Sequence, residues 1–281
     1  MVITRMGERL DRRELSGEGL ERTRRVLERF ARSIESHGGV EGMRIAGTSA
    51  ARDASNISSL REIVSEIFAV EPEILSGEEE ARASFIGATY DLDDLLVKGK
   101  TIMVVDVGGG STEVIVGRGE EIILDRSLDV GCVRMSERFL SCDPPSVGEL
   151  AAMEKEIKRV LEPLLEMLEG EEIDLCIGLA GTVTTLAGIK LGLRKYDGAL
   201  VHGTWLTRDE IEDMYLEMAA RDLEARKSYM GLEPGRADVI LGGSAIFLIL
   251  LRGLGMERLL VSEKDILDGL IIEGWRKRHS L

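Results

Sequence analysis

The stretch Asp106-Val107-Gly108-Gly109-Gly110-Ser111-Thr112-Glu113 decides how this 281-residue chain is read. It lies between two apolar runs of strand length, Thr101-Ile102-Met103-Val104-Val105 and Val114-Ile115-Val116. A glycine-rich turn joining two strands is neither a P-loop nor a dinucleotide fingerprint, because both of those open a helix. Three consecutive glycines allow a tight turn and let several backbone N–H groups come close to an anion. Ser111 and Thr112 add hydroxyl donors. Asp106, at a strand end, is of the type that holds a divalent cation or a water. A plain hairpin turn rarely needs this combination, so the loop is a candidate phosphate site.

Outward from the loop, the pattern alternates strand and helix. Upstream, apolar spacing predicts helices over 18–36, 58–68 and 78–89, with short strands at 43–48 and 74–75 between them. Met1-Val2-Ile3-Thr4-Arg5-Met6 reads as the tail of a strand. Downstream, Ile122-Ile123-Leu124 makes a third strand of a meander. A long amphipathic helix is expected over 146–168, kinked or shortened at Pro163. A buried strand at 174–179 and a late strand at 259–261 are interspersed with helices at 184–191, 208–219, 237–251 and 264–277. The alternation is an α/β signature. The polar, turn-rich stretch 91–100 places a domain boundary there, giving domains over 1–97 and 98–281, with the last helix packing back on the first domain.

Four further motifs carry chemistry. In Gly178-Leu179-Ala180-Gly181-Thr182-Val183-Thr184 a strand runs into small and hydroxyl residues, and a helix begins. Thr182 or Thr184 can cap that helix, and its free N–H groups suit a phosphate; close packing around an ordinary cap is the plain alternative. Ser76-Gly77-Glu78-Glu79-Glu80-Ala81-Arg82 puts three carboxylates in a first helical turn, where they complement the macrodipole, and where one could also deprotonate a water. In Gly47-Thr48-Ser49-Ala50-Ala51-Arg52-Asp53, Arg52 can reach a phosphate by a bidentate contact, or simply pair with Asp53. Arg236 and Asp238 open an apolar helix, through ion pairing or substrate contact.

The charge balance, 36 Lys+Arg against 51 Asp+Glu, gives a net charge of −15. Residues 1–60 carry 11 basic and 9 acidic side chains, so the acidic surplus lies beyond them. This excludes a nonspecific nucleic-acid binder and an anionic-membrane binder, which gather Lys and Arg on one face. Anion capture here would rest on backbone N–H groups, a few arginines and a bound metal. Cys132, Cys142 and Cys176 have no metal-ligand spacing and fit buried thiols in a reducing cytoplasm. The first residues show no signal-peptide core, and the longest apolar run, Ala245 to Leu251, is far shorter than a bilayer span of about 20 residues.

Taken together, five blocks in order, at 47–56, 75–87, 105–113, 178–187 and 231–243, resemble the Ppx/GppA phosphatase family of exopolyphosphatases and guanosine pentaphosphate phosphohydrolases. The resemblance implies an actin-like ATPase (ribonuclease H-like) α/β fold, two domains around a cleft. It implies Mg²⁺, or another divalent cation such as Mn²⁺, assisting attack of water on a terminal phosphoryl group in a cytoplasmic enzyme of the stringent response. Polyphosphate or guanosine pentaphosphate would be the substrate. Carried over by position, Glu80 matches the catalytic base, with Glu79 its neighbour. Asp106 is the expected metal ligand, Glu113 a second catalytic residue beside the loop that would orient water or metal, and Gly108, Gly109, Gly110, Ser111, Thr112, Arg52, Gly181 and Thr182 the phosphate contacts. The family's first phosphate loop, of the type Asp-x-Gly-(Ser/Thr)-Asn-Ser, is not found, because the chain opens at residues matching sequence beyond it; the expected first domain then lacks its N-terminal strand hairpin, either because the chain as given is short at its start, through a misplaced initiation codon, or because it is a degenerate member. This leaves a catalytically impaired nucleotide or polyphosphate sensor as the alternative, and a sugar or acyl-phosphate kinase lacks an acceptor site. Oligomeric state stays open, a homodimer included.

Overall fold

The computed structural model describes residues 14–279 except 53, 93 and 120. The strand expected over Met1–Met6 and the Asp53 of the Arg52 block lie outside the described residues. The chain divides into two compact units, one of Met1–Arg82 with Leu270–Leu281, the other of Ala83–Gly269.

In the first unit, α1 (Gly17–Ser36) packs on α3 (Ile57–Phe68). Ser16 caps α1 by accepting from Gly19 N, and the helix stops at His37 before Gly38 and Gly39, which both take positive φ. Between the two helices, β1 (Ala46–Gly47) leads into the single turn α2 (Ser49–Arg52). β1 pairs in parallel with β2 (Glu73–Ile74), in the register Ala46↔Glu73 and Gly47↔Ile74. The expected strand at 43–48 is thus reduced to two residues. Leu15, Leu20, Ala51, Ala54, Leu60, Ile63 and Val64 form the core of this unit. The C-terminal segment belongs here too: Arg44 donates to Leu270 O and pairs with Glu73.

α4 (Gly77–Thr89) runs without a break past the division at Arg82, well before the boundary expected at 97. The reason is packing. Phe85, Ile86 and Ala88 on its second half are buried, and Phe85 fills the space above Gly117, where a Cβ would lie 2.9 Å from its ring. That half of the helix therefore belongs with the second unit. The connection that follows α4 holds the short helix α5 (Asp94–Val97).

The second unit is built on a six-stranded sheet in the order β5-β4-β3-β6-β8-β7. β3 (Thr101–Val107), β4 (Thr112–Arg118) and β5 (Glu121–Leu128) form the expected antiparallel meander. β3, β6 (Leu175–Leu179) and β8 (Arg258–Val261) run parallel, and β7 (Trp205–Thr207), which periodicity misses because it is three residues long, closes the edge antiparallel to β8. β6 is buried along its whole length, as suits a central parallel strand.

Beside the sheet lie α6 (Cys132–Phe139), α7 (Val147–Met167), α8 (Ala180–Lys190), α10 (Arg208–Ala219) and α12 (Ile240–Gly253). The short helices α9 (Gly198–Val201) and α11 (Leu223–Lys227) join them. α12 packs on α6, α7, α8 and α10 and is buried from Ile240 to Leu251, so the apolar run at 245–251 is a core helix. α7 turns the stripe Met153, Ile157, Leu161 and Leu164 inward, each side chain contributing about 1.5–3 kcal/mol of transfer free energy. Pro163 does not shorten it. Pro163 is exposed, and water can take the Arg159 carbonyl that its missing N–H leaves unpaired. Cys132 and Cys176 are buried as expected, whereas Cys142 is exposed in the loop before α7.

The final helix, α13 (Ile266–His279), begins in the second unit and continues in the first. Its start is pressed against α4: a Cβ at Gly269 would lie 1.8 Å from Ala83 O, and one at Gly87 would lie 1.9 Å from Asp265 O.

Candidate active site

The parallel arrangement of β3, β6 and β8 brings three chain segments to one edge of the sheet. Asp106 is opposite Leu179, and Gly178 is opposite Val261, so the loops following all three strands emerge together. In open α/β sheets this carboxyl edge is where ligands bind.

The loop after β3 is the hairpin turn the sequence predicts. Val107 pairs with Thr112, and Gly108 N donates to Ser111 O at 3.0 Å. Its carbonyls are tied back to α6: Cys132 N donates to Gly108 O, Val133 N and Arg134 N donate to Gly109 O, and Arg134 Nε donates to Gly110 O. Among the described residues, the N–H groups of Gly109 and Gly110 make no backbone hydrogen bond. The glycines are not needed for backbone angle, since none of the three takes positive φ. Packing leaves ordinary room for a side chain only at Gly110, 3.8 Å from Arg134; a Cβ would be 3.3 Å from Ser111 O at Gly108 and 3.3 Å from a Val133 methyl at Gly109, both tighter than usual contact. Gly109 and Gly110 are exposed, so a ligand can approach the loop backbone.

Asp106 and Glu113 are cross-strand partners on one face of the hairpin. Glu113 Oε1 accepts from Ser111 Oγ at 2.6 Å and from Ser127 Oγ at 3.0 Å, so Ser111 is turned toward Glu113. Burial pushes the Asp106 carboxyl up to about 7, and the charges of Glu113 and Asp265 add to it. Asp265, which the sequence reading did not single out, follows β8 and accepts from Leu267 N at the start of α13. Its signal was available: an acidic residue shortly after a parallel strand, on the edge that holds the glycine loop.

Among the described residues, no three His, Cys, Asp or Glu side chains group to hold a metal by themselves. The donor set still fits Mg²⁺ or Mn²⁺. Such ions are commonly held by one or two carboxylates plus substrate phosphate oxygens and water. Asp106, partly buried and crowded by negative charge, is a carboxylate that a cation would relieve.

The Thr112 hydroxyl is corrected as a phosphate donor, and at Thr182 it is the backbone N–H, not the hydroxyl, that stays available. Thr112 is fully buried and its hydroxyl donates to Val130 O at 2.5 Å, so its side chain faces the core. The Thr182 side chain is also buried, wedged where α8 meets α12, and a Cβ on Gly243 would overlap it. Neither Thr182 nor Thr184 caps α8. The helix starts directly from β6 with Leu179 at its N-cap and Ala180 at φ 65°, and Thr185 Oγ1 bonds back to Gly181 O. Only backbone N–H groups of Gly181 and Thr182 are left for an anion there. Arg236 lies directly over Gly181, with its Nε 3.3 Å from Glu233, so its ion pair is with Glu233 rather than Asp238.

In the first unit, Arg52 and Glu80 meet. Arg52 Nη1 donates to Leu75 O at 2.8 Å and to Glu80 Oε2 at 3.1 Å. Glu79 is separated from Glu80 by its task. Ser76 Oγ accepts from Glu79 N, and the Glu79 carboxylate accepts from Ser76 N at 2.8 Å, a reciprocal capping box. Those Ser76 bonds hold the Glu79 carboxyl below the usual range.

The fold is that of an α/β protein with a glycine loop at the carboxyl edge of its sheet. The chain belongs to the Ppx/GppA phosphatase family, whose model matches residues 1–278. It is 34% identical over 280 residues to exopolyphosphatase 2 of Mycobacterium tuberculosis, covering 96% of this chain and 86% of that one. A guanosine-5'-triphosphate,3'-diphosphate pyrophosphatase of Vibrio parahaemolyticus is 29% identical, over 92% of this chain and 50% of its own length. Among solved structures, a Ppx/GppA phosphatase of Aquifex aeolicus superposes with a TM-score of 0.83 at 30% identity, covering 97% of this chain and 88% of that one. The expected α/β fold class stands with that likeness.

Proposed function

We propose that this chain hydrolyses the terminal phosphoryl group of polyphosphate or of guanosine pentaphosphate, releasing inorganic phosphate in the cytoplasm. The observation that carries the reading is the Gly108–Gly110 loop, whose carbonyls are tied to α6 while the N–H groups of the exposed Gly109 and Gly110 make no backbone hydrogen bond among the described residues. Phosphoryl transfer needs positioning and charge neutralisation more than covalent help. In this reading the loop backbone orients the terminal phosphate, and the N–H groups opening α8 take further charge. Arg52 contacts a phosphate oxygen, and Glu80 accepts the proton of the attacking water. Glu113, held by Ser111 and Ser127, orients the loop. Asp106 would hold the divalent cation, whose contribution is to neutralise charge on the phosphoryl oxygens. The −15 net charge fits this division, because the anion is held by backbone and metal rather than by a basic surface.

The test is phosphate release from each substrate by the purified chain, with Mg²⁺ and with EDTA. Release that needs the cation and collapses in Glu80→Gln supports the reading. Saturable binding of a guanosine polyphosphate without turnover would mark a sensor instead.

A further inference from the structure

The loop between α8 and α9 brings an aromatic ring to a carboxylate at the carboxyl edge of the sheet. Tyr196 lies in this loop, and its hydroxyl donates to Oε1 of Glu263, two residues past the end of β8. The pair is held from several sides. Glu263 N donates to His202 Nδ1 at 3.2 Å, and a Cβ at Gly198 would lie 3.2 Å from Glu263 Oε2. The Thr184 hydroxyl, near the start of α8, and the Arg236 guanidinium over Gly181 both act on the Tyr196 phenol. The pair therefore stands beside the opening of α8, which in the proposed function takes phosphate charge. Burial and the Glu263 carboxylate push the phenol up to about 12, so it remains a donor.

Two features of the pair stay unused. The Tyr196 ring is 52% exposed. Glu263 makes no ion pair among the described residues, and its Oε2 accepts no hydrogen bond there although it is not enclosed. An unpaired carboxylate is out of place on an edge that collects phosphate. The strand order β3-β6-β8 sets the end of β8 about 10 Å across the edge from the end of β3, two strand spacings. A polyphosphate chain carries charge at every unit, so a unit reaching that far from the glycine loop meets a like charge. A nucleobase is neutral there and offers N–H donors. Guanine presents its N1–H and 2-amino group side by side, a donor pair that fits a carboxylate, and its face fits an exposed aromatic ring. We propose that Tyr196 and Glu263 form a nucleoside subsite that selects guanosine pentaphosphate over polyphosphate. Guanine rests on the Tyr196 ring and donates its N1–H and 2-amino group to Glu263. This assignment rests on the reading of Gly108–Gly110 as the phosphate site.

Two measurements test it: kcat/KM for phosphate release from each substrate, and calorimetric titration with guanosine tetraphosphate, the product, in Mg²⁺. Glu263→Gln is expected to lower kcat/KM for guanosine pentaphosphate by about 10–100-fold and to weaken guanosine tetraphosphate binding as much, the scale of a lost charge-assisted contact. Polyphosphate hydrolysis should be unchanged or a few-fold faster. Tyr196→Ala should act in the same direction, whereas Tyr196→Phe, which keeps the ring, should stay within a few-fold of the parent. Adenosine tetraphosphate, with the same phosphates and neither donor, should bind the parent and Glu263→Gln alike. Equal losses with both substrates would mark a structural role and overturn the proposal. So would unchanged guanosine tetraphosphate binding in Glu263→Gln, or an equal loss with the adenosine compound. A chain that releases phosphate from neither substrate, yet binds guanosine tetraphosphate through Glu263, would overturn the hydrolysis reading and leave this subsite standing.

Discussion

Arg52 Nη1 stands 3.1 Å from Glu80 Oε2 while donating to Leu75 O at 2.8 Å. The backbone carbonyl fixes the guanidinium, and the guanidinium in turn fixes the carboxylate. In the proposed reaction Arg52 therefore acts twice, on the substrate phosphate and on the aim of Glu80. Arg52→Ala is expected to lower kcat/KM by about 10–100-fold, the scale of a lost charge-assisted hydrogen bond. Arg52→Lys is expected to recover little of it, because an ammonium lacks the planar fork. Steady-state phosphate release measures both; full activity of Arg52→Lys would show that the charge alone suffices.

The two neighbouring glutamates should separate in the same assay. Glu80→Gln is expected to cost about 10²–10⁴-fold in turnover with little change in melting temperature. Glu79→Gln should keep turnover within a few-fold of the parent and lower the melting temperature, since it weakens a capping box. The reverse pattern would exchange their roles.

Gly109→Ala probes the open face of the glycine loop. Its φ is one any residue can adopt, and the new methyl meets the half-exposed Val133 side chain, 3.3 Å from its methyl and 3.8 Å from its Cβ, which turns aside to make room. Unfolding in urea should show stability unchanged or raised by about 0.4–1 kcal/mol. Phosphate release should nevertheless fall by about tenfold or more, as the methyl stands where the phosphate approaches. Unaltered activity would place the phosphate elsewhere.

Glu149 offers a pH test remote from the chemistry. Its carboxylate accepts from Ser141 N and Oγ, Cys142 N, and Ser146 N and Oγ, and these bonds hold it well below the usual carboxylate range. A depressed folded-state value means that the stabilisation is complete above the unfolded glutamate value of about 4.3 and is lost as pH falls below it. Melting temperature between about pH 7 and pH 3 should drop more steeply in the parent than in Glu149→Gln. Parallel curves would show that the five bonds do not favour the ionised form.

The second unit was more legible in the sequence than the first. β3, β4 and α12 announce themselves through unbroken apolar runs, because both of their faces are buried. The glycine loop was legible because its composition exceeds what a turn requires. The division of the chain was misplaced because polarity at 91–100 reports solvent exposure, whereas Phe85 against Gly117 decides membership and is a contact distant in sequence. The Thr112 hydroxyl was misread for a related reason. A hydroxyl beside a phosphate loop and a hydroxyl satisfied by a carbonyl in the core look the same until the sheet fixes which way they face. Glu79 could have been separated from Glu80, since Ser-x-x-Glu is a capping signature in its own right.

That capping box also sets a measure. Ser76 and Glu79 lock the first turn of α4, and each further residue advances the side-chain direction by about 100°. Glu80 meets Arg52 because it sits one step past the lock. An insertion or deletion of a single residue between Ser76 and Glu80 would swing that carboxylate about a quarter of the way round the helix and leave Arg52 facing an alanine or a cap. The turn can vary in composition at Gly77 and Glu78, but its length works as a gauge that cannot be altered without retooling the site.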